Sequence, residues 1–446
     1  MDWRCEWRCC FSFVGHNVAE ILIKNGRIVD PSQRIDRVAN LLLRDDQVVG
    51  IDLEPGNDAT IVDATGHIVT PGLIDINTQL QEPGWEEDET ISTGTAAAVA
   101  GGFTSIACGP NTVPAIDSQA NVEFVQHRAA TADNCNVFVL ACVSKDREGK
   151  ELAELGTLHA AGAVGFTDAG RPIHNADLMR RALEYAKMFD RPVLNHPEVL
   201  ELNQEGVMHE GLMSTILGLR TMPSEAEDVM TGRDIRLAEA TGGKLHLINI
   251  SSGGSVELLR RARQRGVHIT AGITAHHFSL TDELLRTFDS NCKMNPPLRS
   301  TSHVADCVAG LADDTLDVIC SGHSPRAHEK KIHELDRAPF GINSLETTLG
   351  LVVKNLIEPG HLTWLKAIEK LTVNPARILK LEGKGTLSCG ADADVTIIDP
   401  AVRWTVDPGK FKSKSQNSPL RGHELTGRAA KVFVGGRLRF DASSDS

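Results

Sequence analysis

Between Pro71 and about residue 384, runs of strand character alternate with runs of helical character. The strand-like runs TSIAC, NVFVLACV, GAVGFT, RPVLNH, KLHLINI, HITAGIT and LDVIC are separated by helical stretches such as ISTGTAAAVAGG, NADLMRRALEYAKMF, RDIRLAEATGG and GSVELLRRARQRG. No other feature constrains the fold as much. Strands joined through helices lie parallel, because the crossover has to return the chain to the same edge of the sheet. About 300 residues of such alternation suits an eight-fold barrel, which predicts an α/β chain with a (β/α)8 TIM-like core over residues 71–384.

The ends of the chain have a different texture. ILIKNGRIVD, ANLLLRDDQVVGID and ATIVDATGHIVT at the start, and GADADVTIIDP and KVFVGGRLRF near the close, read as short strands with turns. They predict a small β-sandwich domain made from residues 19–70 together with 385–446, with the barrel inserted between its halves. Asn25-Gly26 reads as a hairpin turn between two β-rich runs. Residues 1–18 read as an N-terminal extension of low structural value, with an apolar run too short for a signal segment.

Charge and cysteine usage exclude several function classes. Forty-six Lys and Arg against fifty-nine Asp and Glu leave a formal charge of −13, and the basic residues form only scattered pairs. That argues against a nucleic-acid partner. No stretch approaches the roughly 20 apolar residues of a membrane helix. Ten scattered cysteines without a CxxC pair fit reduced thiols and a cytoplasmic location.

The segment PGLIDINTQLQEPG, residues 71–84, carries the first chemical signal. Period-2 alternation puts Asp75, Asn77 and Gln79 on one face of a strand, and Glu82-Pro83-Gly84 ends it in a loop. The end of a barrel strand is where a site is built. These amides could hold a metal, hold a substrate, or hold nothing.

Ten blocks in order carry a resemblance. PGLIDINTQLQEPG, GGFTSIACGPNTVPAID, GAVGFTDAGRPI, NHPE, KLHLINISS, TAHHFSLTDE, KMNPPLRS, APFGINSLETTLG, LTVNPARIL and GADADVTIIDP, followed by FKSKSQNSPLRG, resemble the dihydroorotases and their allantoinase and hydantoinase relatives in the amidohydrolase superfamily. The resemblance spans nearly all of residues 19–440. It implies a metal-bearing barrel with a small β domain. It also implies a ligand set: a His-x-His pair on the first strand, an acidic or carbamylated residue on the fourth, single histidines on the fifth and sixth, and an Asp on the eighth. Such ligands hold zinc, and the bound water falls toward a pKa of about 7. The eighth-strand Asp serves as general base.

The chain departs from that pattern at most of these positions. Asn77 and Gln79 stand at the His-x-His pair, Asn249 at the sixth-strand His, and Gly322 at the Asp. His196 and Asp168 remain as remnant ligands, the latter with its register uncertain by one place because Ala169 follows it. No catalytic residue and no cofactor are therefore expected. Of the substrate-binding pattern, Asn111 and Asn295 are retained, Gln81 replaces an Arg, and Arg326 replaces a His, which keeps a cation near an anion site. Blander expectations stand beside these. Asn77 and Gln79 could be polar fillers bonded to each other or to water, and Asp168 could pair with His196 or Arg171. Cys320, His276, His277 and His323 would be structural, and Glu86 to Glu89 a solvated loop.

Loss of four positions with the structural blocks kept suggests a chain that still folds but does not hydrolyse. By resemblance, the expected role is in pyrimidine synthesis as a non-catalytic structural or regulatory partner of aspartate transcarbamoylase, and a homo-oligomer is expected. The alternative is an active dihydroorotase-like cyclic amidase, interconverting carbamoyl aspartate and dihydroorotate with zinc in a rebuilt site. A third role is a sensor that binds an anionic pyrimidine intermediate.

Overall fold

The computed structural model describes residues 20–444, so the expected N-terminal extension lies outside the described residues. The chain opens on β1 (Glu20–Asp30), β2 (Ile35–Arg44), β3 (Gln47–Ile51), β4 (Thr60–Asp63) and β5 (Ile68–Pro71). β1 pairs antiparallel with β2, and β2 with β3. Asn25-Gly26 is not a hairpin turn: β1 runs straight through it, with a register shift between Ile23 and Gly26 and Asn25 at φ +60°. The physical reason is close approach. A Cβ on Gly26 would fall 2.4 Å from Val69 Cγ2. The irregularity also lets two strands share β1, with β4 along Ile21 to Lys24 and β5 along Arg27 and Ile28.

Next come β6 (Leu73–Thr78), β7 (Phe103–Cys108), β8 (Asn136–Ala141), β9 (Gly165–Thr167) and β10 (Val193–Asn195). After them β11 (Met208–His209) and β12 (Thr221–Met222) form a small separate ribbon, followed by β13 (Leu245–Leu247), β14 (Ile269–Thr274) and β15 (Val318–Cys320). The eight strands other than the ribbon pair in parallel and in chain order, and a bridge between Thr78 and His323 brings β15 round to β6. This is the expected barrel. Its helices start where side chains satisfy the free N–H groups of the first turn. Thr90 and Thr93 cap Ile91–Ala100, Asn175 caps Ala176–Lys187, and Ser252 caps Gly253–Gln264. Inside the barrel Ile76, Leu140, Leu194, Ile248 and Cys320 are buried, and Ile378 and Leu379 close the lower end.

The chain then returns as β16 (Val395–Thr405), β17 (Glu424–Val434) and β18 (Arg437–Asp441). β16 pairs antiparallel with β5, which joins both chain ends in one sheet of order β18-β17-β16-β5-β1-β2-β3. The sheet wraps on itself: the β2–β3 turn meets the segment before β16 through Ala393 N–H to Asp46 O at 2.7 Å and Val48 N–H to Ala391 O at 2.8 Å. Ile23, Leu41, Leu43, Val69, Val395 and Phe433 fill the enclosed core. Among the described residues no helix is long and apolar enough to cross a membrane.

Candidate functional site

At the C-terminal ends of the barrel strands lies a cavity of about 310 Å³ whose wall includes Asn77, Gln79, His196, Asn249, Asn295 and Arg326. Gly322, His323 and Thr274 also line it. The fold therefore gathers most of the positions singled out in the sequence. Asn111 is not among the lining residues, and its Oδ1 is buried without a partner.

The amides do not bond to each other within the first strand. Asn77 Nδ2 donates to Asn249 Oδ1 at 2.6 Å, across 172 residues of sequence. Gln79 Oε1 accepts from Ser324 Oγ at 2.9 Å and from Gln81 Nε2 at 3.2 Å. Asp75 points the other way, accepting from the Ser321 and Asn77 N–H groups at 3.0 Å, and burial pushes its carboxyl upward.

Asp168 pairs with neither His196 nor Arg171 through its carboxylate. Oδ1 accepts from the N–H groups of Val143 at 2.9 Å and Ser144 at 3.1 Å, and Oδ2 from Ser144 Oγ at 2.5 Å. Burial raises its pKa against the pull of those hydrogen bonds. Three donors from just after β8 make Asp168 an anchor between that loop and its own. His196 lies with Nδ1 3.5 Å from Asn249 Nδ2 and Nε2 3.4 Å from Glu198 Oε2. Nδ1 thus faces an amide N–H group and Nε2 faces the carboxylate. Glu198 is buried, which raises its pKa, but the bonds to His196, Asn203 and Asn295 outweigh burial and hold it down to about 2. Asn295 Nδ2 donates to Glu198 at 2.9 Å. Glu198 does not line the cavity; it is a buried carboxylate behind two residues that do, His196 and Asn295. Sequence reasoning quoted it in NHPE without assigning it a part.

Arg326 lines the cavity but is already engaged: Nε donates to Phe340 O at 3.0 Å and Nη1 lies 3.4 Å from Asp88 Oδ2. The acidic run is only half solvated. Asp88 and Glu89 are buried, against the expectation of an exposed loop. Asp88 accepts from Ala327 N–H at 2.7 Å and Lys330 Nζ at 2.9 Å, while Glu89 accepts from Ser413 Oγ and faces His323 Nε2 at 3.5 Å. These carboxylates tie the first strand's loop to the segment after β15. His277 bridges Thr274 Oγ1 and Pro296 O, and burial lowers its pKa to about 4. His276 is buried with both ring nitrogens unpartnered.

Zinc sites close a near-tetrahedral shell from imidazole, thiolate and carboxylate donors. Among the described residues no group of three or more His, Cys, Asp and Glu could hold a metal ion. Asn77 Nδ2 occupies Asn249 Oδ1, Asp168 accepts three hydrogen bonds from Val143 and Ser144, and neutral amide oxygens are poor zinc ligands. The residues present do not fit zinc. Gly322 adds a steric barrier. It sits at φ +63°, and a Cβ there would lie 2.5 Å from Thr274 Cγ2 and 3.1 Å from His276 Cε1. No carboxylate enters at that position without movement of its neighbours.

Comparison with known proteins agrees with the fold. A family model described as "Dihydro-orotase-like" matches residues 66–255. The chain is 47% identical over 420 residues to the dihydroorotase of Pelotomaculum thermopropionicum, covering 94% of this chain and 98% of that one. It is 45% identical over 422 residues to the dihydroorotase of Syntrophus aciditrophicus, covering 94% and 99%. A Rhodopirellula baltica protein, itself named only provisionally as a dihydroorotase, is 48% identical over 423 residues, covering 94% and 92%. Among solved structures, the L-hydantoinase (dihydropyrimidinase) of Arthrobacter aurescens superposes with a TM-score of 0.83 at 21% identity, covering 94% and 95%.

Proposed function

The chain belongs to the dihydroorotase-like family of the amidohydrolase superfamily, and on that footing we propose that it serves pyrimidine biosynthesis as a non-hydrolysing member acting through a partner. One observation carries the proposal: the positions that should hold zinc and the base are an amide pair, Asn77 with Asn249, and a glycine with no room for a side chain. Hydrolysis of a cyclic amide needs an activated water and a group to take its proton. Without the metal, Asp168 is spent on the loop after β8 and Glu198 is held ionised by three donors. Beside the cavity, Asn295 donates to Glu198 at 2.9 Å and His196 Nε2 lies 3.4 Å from the same carboxylate, so the remnant polar groups hold one another in place. Aspartate transcarbamoylase is the proposed partner. That assignment rests on the resemblance to inactive dihydroorotase homologues, and co-purification of the two chains tests it.

A second reading is an active dihydroorotase-like cyclic amidase with a rebuilt site, and the dihydroorotase names of relatives about as similar as 45 to 48% favour it. The donor set of this chain favours the first. Purified protein assayed with dihydroorotate and with carbamoyl aspartate, with and without added zinc, separates them. Rates at background in both directions support the non-hydrolysing role, and zinc-dependent turnover establishes the amidase.

A further inference from the structure

The barrel has a second opening, at the end that ordinarily serves stability rather than chemistry. There the strands begin, and the segment carrying Ile378 and Leu379 closes the interior. Beside that plug lies a cavity of about 430 Å³, larger than the one at the functional face. It runs along the starts of β10, β13, β14 and β15. Its floor is apolar, from Leu245, Ile269 and Ile378, which are buried. Its rim carries Lys244, Arg263, Arg377 and His268.

The charge at this rim runs against the rest of the molecule. Three permanent cations, Lys244, Arg263 and Arg377, face one lining carboxylate, Asp317, which leaves a local balance of +2 on a chain of formal charge −13. Lys244 also pairs with Asp190, outside the lining, and Arg377 Nη2 donates to Asn374 Oδ1 at 3.0 Å. Arg263 is fixed in place: Nη2 pairs with Asp317, and Nη1 donates to Asp314 O at 2.5 Å. Its Nε is buried without a partner, while the side chain as a whole is 29% exposed. A guanidinium held through Nη1 and Nη2 offers its charge to the cavity with little further loss of side-chain freedom. An apolar floor with a cationic rim is the usual make-up of a small-molecule pocket.

We propose that this cavity binds a small organic anion, a carboxylate, sulfonate or phosphate carried on an apolar body, at the face of the barrel opposite the family's site. The anion meets Arg263 and Arg377, and the apolar body lies on Leu245, Ile269 and Ile378.

The test uses the full chain and the fluorescent aryl sulfonate 1-anilinonaphthalene-8-sulfonate as probe. One saturable site is expected, weakening as salt is raised and weakening about tenfold in Arg377→Gln, a loss equivalent to one charge-assisted contact. Arg263→Gln is expected to weaken it further. Because that change also strips Asp317 of its partner, Lys244→Gln at the exposed rim serves as the second variant. Arg326→Gln, at the other cavity, leaves the affinity unchanged. The uncharged analogue N-phenyl-1-naphthylamine binds at least tenfold more weakly. Absence of saturable binding, indifference to the rim variants, equal binding of the uncharged analogue, or loss of binding in Arg326→Gln would each overturn the proposal.

Discussion

Gly322→Ala probes the closure of the base position directly. The methyl group carries no charge, so its cost isolates geometry from electrostatics. At φ +63° an L residue costs about 1 kcal/mol relative to glycine. The added Cβ would sit 2.5 Å from Thr274 Cγ2, well inside contact distance, and Thr274 is buried and β-branched, with its hydroxyl held by His277 at 2.7 Å. Overpacking of a buried site of this kind costs about 1–3 kcal/mol. The expected loss is therefore about 2–4 kcal/mol. Thr274→Ser keeps the hydroxyl for His277 and removes the clashing methyl, so it should return much of the overpacking term. Urea denaturation of the wild type, both single variants and the double variant completes the cycle, with an expected coupling of about 1–2 kcal/mol. Wild-type stability for Gly322→Ala, or no coupling to Thr274→Ser, would refute the claim that the position is closed.

Three further outcomes follow from other contacts. Ser144→Ala removes the hydroxyl donor of Asp168 Oδ2 and should cost about 1–3 kcal/mol by denaturation, whereas a neutral result would deny Asp168 its anchoring part. Gly26→Ala drives a Cβ into Val69 Cγ2 and should destabilise by about 1–3 kcal/mol, with partial rescue by Val69→Ala; a hairpin turn would show no such rescue. Glu346 is buried, and burial raises its pKa to about 7 from an ordinary 4.5. Its folded pKa is above its unfolded one, so the contribution of this group to stability is greatest below about pH 4.5 and falls as pH rises toward 7. The loss amounts to about 3 kcal/mol. Glu346→Gln still offers an oxygen to the Lys412 and Ser413 N–H groups and should gain relative stability at pH 8 over pH 5, and a gap between variant and wild type that does not change with pH would contradict this.

Local periodicity carried much of the fold. The strand runs from TSIAC to LDVIC and the helical stretches between them depend on neighbouring residues, and they are read from neighbours. Features set by distant contacts were not legible. Asn25-Gly26 has turn chemistry, but the approach of Val69 from β5 makes it an irregularity within one strand. Asp88 and Glu89 look like a solvated acidic run until His323, Ala327 and Lys330 arrive from the segment after β15 and Ser413 from that between β16 and β17. The site positions could be named because each sits in a recognisable block. Their bonding could not: the partner of Asn77 is Asn249, and that of Asp168 is Ser144 in the preceding loop. Arg326 was readable as a cation, but its engagement with Asp88 and Phe340 was not.

Asn77, Gln79, Asn249 and Gly322 leave a barrel mouth whose donors do not fit zinc. Elemental analysis of the purified protein, after incubation with zinc and removal of free ion, measures this. Near-zero zinc per chain is expected. One or more tightly bound ions per chain, lost together with dihydroorotate turnover on chelation, would contradict it and restore the amidase.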